Sequence, residues 1–302
     1  MAQTKHWDAE MRGPIFVAGC VGLALVAVAG TLRAAPISSV PAATPAEGVV
    51  LTPHRAYYDL RLARSRGTRG ISAIRGRILY DFSGNRCQGY DLKFRQISDL
   101  ISAEGHDAVS DLTSTTWEDA GAGKFRFSSE NRLNQDRTDL VDGRADRQPD
   151  KVAVTLDKPE TRAFAIPADA VFPTEHMRKI IAAARAGKKV LELVVYDGSD
   201  TGDKVFNTLT VIGKPIPPGA APPDDAAAKV PELATLTRWP VTISYFDRDA
   251  KAEASGEQTV TYSIEFELYE NGISRALMLN YSDFSIKGEL SSLELKKPKP
   301  CK

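Results

Sequence analysis

Apolar and polar residues alternate along most of this chain. HRAYYDLRLAR, IRGRILYDFSG, GYDLKFRQI, GKFRFSSEN and KVAVTL set apolar or aromatic side chains at every second position, and so do KKVLELVVYD, KVFNTLTVIG, WPVTISYFD, QTVTYSIEFELYENG, ISRALMLNYSD and FSIKGELSSLEL farther on. A period of two points one side chain at the core and the next at water, so these segments predict half-buried antiparallel strands. Gly and Asn/Asp clusters separate them, as tight turns require. The fold class that follows is mainly β.

One segment, PTEHMRKIIAAARAGKK, has another period. Met177, Ile180, Ile181 and Ala184 recur at three- and four-residue spacing, Thr174 is placed to cap the first amides, Glu175 suits the positive N-terminal end, and Gly187 supplies the stop. This predicts one amphipathic helix. Its stripe Met177/Ile180/Ile181/Ala184 is either a packing face against the concave side of a curved sheet or part of the lining of a ligand cavity. A second interruption, GKPIPPGAAPPDDAAAKVPELATLTRWP, has neither period and reads as an exposed Pro/Ala-rich loop at about 214–231, as suited to a lid as to a connector. No composition shift or repeat separates two cores, so 51–302 is expected to be a single domain.

The amino terminus, residues 1–35, carries Arg12, an uncharged apolar run from Ile15 to about Leu32 and small residues at Ala34 and Ala35, the layout of a cleaved export signal. An uncleaved anchor is the rival reading, because the run nears the roughly 18 to 20 apolar residues that span a bilayer. Val17-Ala18-Gly19-Cys20 resembles a lipoprotein cleavage box, but the strongest apolar stretch follows the cysteine, which makes it a chance match. A Pro/Ala-rich spacer occupies 36–50.

Signal removal would leave Cys87 and Cys301 of the three cysteines. In an oxidising compartment two thiols have a single intramolecular connectivity, which would staple the carboxyl-terminal tail to the strand region near residue 87. Two free thiols, or a mixed disulfide with a partner, stay open, since a sequence does not show the Cα separation.

Lysine plus arginine and aspartate plus glutamate balance at 39 each in 302 residues, with no basic face interleaved with aromatics, so nucleic acid is not an expected partner. His54, His106 and His176 have no short metal-ligand spacing, and no GxSxG elbow is present, so no catalytic residue, metal or cofactor is expected. His176, in the first helical turn, reads as a surface or capping residue, and His54 as one that orients a turn. Asp197-Gly198-Ser199-Asp200-Thr201-Gly202-Asp203-Lys204 is a hairpin connection before it is a Ca²⁺ loop, because the closing glutamate is replaced by Thr208. Trp117 and Trp239 read as core aromatics, Glu118 and Asp119 as a solvated turn, and at most one of Tyr57 and Tyr58 faces the core.

HRAYYDLRL, GRILYDFSGNRCQGYDLKFRQ, TTWEDAGAGKFRF, FPTEHMRKIIAAARAGKKV, YDGSDTGDKV, WPVTISYFD and YENGISRALMLNYSDFSIKGEL together resemble the cell envelope integrity protein B (EipB-like) family of Gram-negative periplasms, over about residues 51–301. The resemblance implies a periplasmic β-spiral, an open, strongly curved antiparallel sheet wound round a helix, with a disulfide between an early strand and the carboxyl terminus at positions matching Cys87 and Cys301. The family carries no established catalytic residues to transfer. The expected function is a non-enzymatic role in envelope integrity, as an interaction or scaffold protein using the inner groove or the edge strands, with envelope proteins as partners and no integral span after signal removal. The alternative is a soluble carrier of a lipid or other apolar ligand.

Overall fold

The computed structural model of the protein describes residues 48–66, 71–102, 104–105, 107–249, 258–298 and 300–301. The signal segment, Cys20, most of the spacer and His106 lie outside the described residues.

Eight strands come first: β1 His54–Ser65, β2 Ile71–Asn85, β3 Gly89–Ser102, β4 Asp107–Glu118, β5 Lys124–Leu133, β6 Asp136–Arg147, β7 Lys151–Lys158 and β8 Arg162–Pro167. The helix α1 Pro173–Arg185 follows, then β9 Val190–Val195, β10 Phe206–Ile212, β11 Arg238–Asp247, β12 Tyr262–Tyr269, β13 Ser274–Asn280 and β14 Phe284–Leu295. Two short 3₁₀ turns, Ala226–Lys229 and Pro231–Thr235, interrupt the Pro/Ala-rich segment.

All 14 strands join one antiparallel sheet in the order β8 to β1, then β14 down to β9. Except for β8 and β9, each strand pairs with its sequence neighbours, and the β1–β14 pairing, His54↔Leu295 to Ser65↔Phe284, welds the two meanders together. Turn residues match the turns they make: Asn134 and Gln135 both take positive φ (52° and 74°) in the connection from β5 to β6, the mirror-image turn that suits the strand twist. The two edges, β8 and β9, are consecutive in sequence and flank α1. Val171, in the β8–α1 link, forms a single parallel bridge to Val195 of β9, so the sheet curls into a barrel-like form that is nearly closed.

Strand registers place one set of alternate residues on the concave face, where three apolar clusters form. Ile180, Ile181, Ala183 and Ala184 of α1 pack against Phe206, Ile212, Trp239, Val241, Ile243, Tyr245, Phe266 and Leu268, with Phe82 and Tyr90 across from them. Phe125, Phe127, Val152, Val154 and Leu156 enclose Phe172 and Tyr196. Tyr58, Leu60, Ile74, Ile78, Ile286 and Leu290 are joined by Ala227 and Leu233 from the 3₁₀ turns.

Most of the Pro/Ala-rich segment at 214–231 is exposed, but it is anchored at its end by the buried Ala227 and, just beyond it, Leu233. Arg275 grips Asp224 and Asp225 at 2.6 and 2.8 Å and Glu267 at 2.6 Å, while Arg238 reaches Glu267 and the carbonyl of Ala221. A segment with buried apolar anchors and a charge network at its root is a fixed strap.

Candidate functional site

The two cysteines form a disulfide with Cα atoms 5.6 Å apart. Asn85 Oδ1 accepts from the amides of Cys87 and Gln88 at 2.8 Å each, which fixes the β2–β3 turn that presents Cys87. On the tail side, Lys296 donates its backbone N–H to Pro53 and its ammonium pairs with Asp81, which also holds Arg55. The bridge is exposed and sits beside β1 and β2, in the middle of the sheet order, so the tail covers neither β8 nor β9.

The helix stripe is a packing face: Ile180 and Ile181 are fully buried, Ala184 is buried and Met177 is half-buried. Its N-terminus is arranged differently from the sequence expectation. Thr174 does not cap; its own N–H, with that of Glu175, donates to the two carboxylate oxygens of Glu118 on β4, both at 2.8 Å. Phe172 occupies the N-cap position without a side-chain bond. Glu118 is therefore buried, not a solvated turn residue, and burial pushes its carboxyl up to about 7 against the two helix amides that pull it down. Glu175 faces Arg147 at 2.9 Å and Lys179 at 3.2 Å. Gly187 takes positive φ and, with Lys188, closes the helix C-terminus on Ala184 and Ala183 as predicted.

His176 departs from its surface reading: it is buried, and its Nε2 has no hydrogen-bond partner. His54 is also buried, with Nδ1 2.8 Å from the carbonyl of Thr52. Burial lowers both imidazoles to about 4, which leaves them neutral at pH 7 and poor as general acids. Among the described residues no group of three or more His, Cys, Asp or Glu is placed to hold a metal, and no helix is long and apolar enough to cross a membrane. Trp239 is in the core, whereas Trp117 is half-buried on the convex face under the guanidinium of Arg126, 5.2 Å from the ring centroid. Tyr58 is buried and Tyr57 faces outward.

What remains unpartnered is the seam. Val171 donates to the carbonyl of Val194 and accepts from Tyr196 N–H, and beyond that contact no strand among the described residues flanks β9. Strand alternation turns the N–H and C=O of Glu192 and Val190 to the same side as the Val194 carbonyl, away from β10 and into the gap. A depression of about 580 Å³ lies there, bounded by Asp169, Lys179, Glu192, Val194, Leu209 and Phe246. The adjoining convex face carries an exposed apolar pair: Val190 and Val211, opposite one another on β9 and β10, are 51% and 47% exposed. A free strand edge beside an exposed apolar strip is the geometry that accepts an added strand.

Residues 45–297 match the family model described as EipB-like. The chain belongs to the EipB-like family. Cell envelope integrity protein EipB of Brucella abortus (strain 2308) is 37% identical to this EipB-like chain over 254 residues, covering 84% of it and 88% of that protein. A solved structure described as a beta-barrel-like protein of domain of unknown function DUF1849, from Brucella abortus, superposes with a TM-score of 0.75 at 35% identity, over 83% of this chain and all of that one. Its barrel-like description agrees with the nearly closed sheet.

Sequence reasoning named the cysteines, the helix stripe and, in general terms, the edge strands; it placed Glu118 in a solvated turn and not under the helix N-terminus. The apolar alternation of VLELVV is visible; which edge of that strand stays unpaired is a tertiary fact.

Proposed function

We propose that this EipB-like chain is exported to the periplasm and supports cell envelope integrity without catalysis, by taking an extended segment of an envelope protein onto the free edge of β9. The relative's name supplies the envelope role. The observation that carries the interaction reading is the unpaired backbone at Glu192 and Val190 beside the exposed Val190/Val211 strip. Backbone hydrogen bonds would supply affinity and the strip would select apolar side chains at alternate positions.

A carrier of lipid or another apolar ligand is the weaker reading, because the helix face Met177/Ile180/Ile181/Ala184 that would line its cavity is taken up by packing.

The test is complementation of cells lacking the protein, scored by detergent sensitivity, with Glu192→Pro. Proline removes one N–H that faces the gap and no ladder bond, as is tolerated at sheet edges. The expected outcome is normal export and melting temperature with loss of detergent resistance. Full rescue by the folded variant would refute the edge as the working surface.

A further inference from the structure

The convex side of the sheet carries a second depression, of about 500 Å³, over β3 to β6. The outer side of a curled sheet bulges, so a hollow on it requires short side chains flanked by long ones. The floor is made of Thr113, Thr115 and Ser128, with Thr115 and Ser128 directly opposite one another across β4 and β5. The walls are ion pairs. Arg95 clamps Asp111 through Nε at 3.0 Å and Nη2 at 2.8 Å, and Arg132 holds Glu130 at 2.5 Å.

The same alternation that turns Thr113 and Thr115 outward turns Trp117 outward, one step farther along β4 and opposite Arg126. The row from Asp111 to Thr115 is about 14 Å long, and the half-buried indole under its stacked guanidinium stands at one end.

The chemistry of this groove is selective. The charged side chains of the lining are engaged with one another, Arg95 with Asp111 and Arg132 with Glu130, and of the neighbouring guanidinium groups Arg137 also reaches Glu130 and Arg126 lies on the Trp117 indole, so the nearby charges are already partnered. Leu140 is the one aliphatic side chain among the lining residues, which argues against an acyl chain or an apolar peptide. Hydroxyls that both donate and accept line the floor, and the Arg95 fork on Asp111 leaves Nη1 outside that bond as a further donor held in a fixed plane. Dense two-way hydrogen bonding, charges already engaged with protein partners and an elongated open shape match a polyhydroxylated chain.

We propose that the groove across β3 to β6 is an oligosaccharide-binding site, with Thr113, Thr115, Ser128 and the Arg95 Nη1 reading hydroxyls, and with Trp117 close enough beyond Thr115 to report on occupancy. The site lies on other strands of the sheet than the β9 edge, and its occupancy does not depend on strand addition there.

The experiment titrates the folded, disulfide-bonded protein with a glucose tetramer, an N-acetylglucosamine tetramer and inorganic phosphate, following indole fluorescence and amide chemical shifts. Shifts on β4 and β5 with either tetramer are expected, weakened at least tenfold in Thr113→Val/Thr115→Val, which keeps the β-branched shape and removes the hydroxyls. A preference between the tetramers distinguishes a glucan from an amino-sugar polymer as the source. Absence of tetramer binding up to 10 mM (about 2.7 kcal/mol at its weakest), equal binding by the double variant at an unchanged melting temperature, or binding of phosphate alone would each overturn the assignment.

Discussion

Glu118 holds the first turn of α1 from a different element, and that placement gives it opposing roles. Its carboxylate satisfies two helix amides, yet it does so out of water. Because burial raises its pKa from 4.5 to about 7, the folded state holds this proton more tightly than the unfolded chain. Its contribution to stability is therefore full below about 4.5 and is lost as pH rises through about 7. His54 and His176 act in the opposite sense: lowered from 6.5 to about 4, they contribute fully above 6.5 and lose that contribution as pH falls toward 4. Urea unfolding from pH 4 to 8 should show Glu118→Gln losing the decline between about 5 and 7 and keeping the histidine rise. Parallel curves for parent and variant would contradict this assignment. Glu118→Ala should cost about 2 kcal/mol, since it strands buried amides. None of this was legible in WEDAGAG, which carries every local sign of a solvated turn; Asp119 is one, accepting from Gly121 and Lys124, while its neighbour points inward.

Among the elements, strands with a strong apolar alternation were readable and the others were not. β4, β6 and β8 are absent from the sequence-derived strands. The concave positions of β4 are Ala108, Ser110, Leu112, Ser114, Thr116 and Glu118, mostly polar, and the four between Ala108 and Glu118 are only half-buried. In β6 the concave set includes Asp139 and Gly143, the latter lying against Phe127 and Leu156, where a larger residue would not fit. A period-two pattern needs an apolar partner to pack on, and where alternate positions are only half-buried the pattern fades. The helix was legible throughout its stripe and its glycine stop, but its N-terminal cap was not, because the capping group is supplied in trans. β9 shows the same limit: its residues announce a strand, and only the barrel's closure decides that Glu192 is left facing a gap.

At the scale of the molecule, two devices define the architecture, the β1–β14 weld and the bridge that spans 214 residues of sequence. Closing a loop of that size removes unfolded-state entropy worth up to about 5 kcal/mol. Cys301→Ser should lower the denaturation midpoint accordingly, measured in parallel on oxidised and reduced parent; equal midpoints for all three would show that the bridge does not stabilise the fold. The barrel is welded at its centre, and among the described residues its sheet edges are β8 and β9, which places the available backbone in one region. That concentration is the basis of the functional reading, and site-specific photo-cross-linking in intact cells tests it most directly. A photoreactive residue at Val211 on the strip beside β9 is compared with one at Arg61, exposed on the convex side of β1. Adducts to an envelope protein from position 211, absent at 61 and lost when Glu192→Pro is added, are the predicted result; adducts only from 61, or adducts from 211 indifferent to the proline, would contradict it.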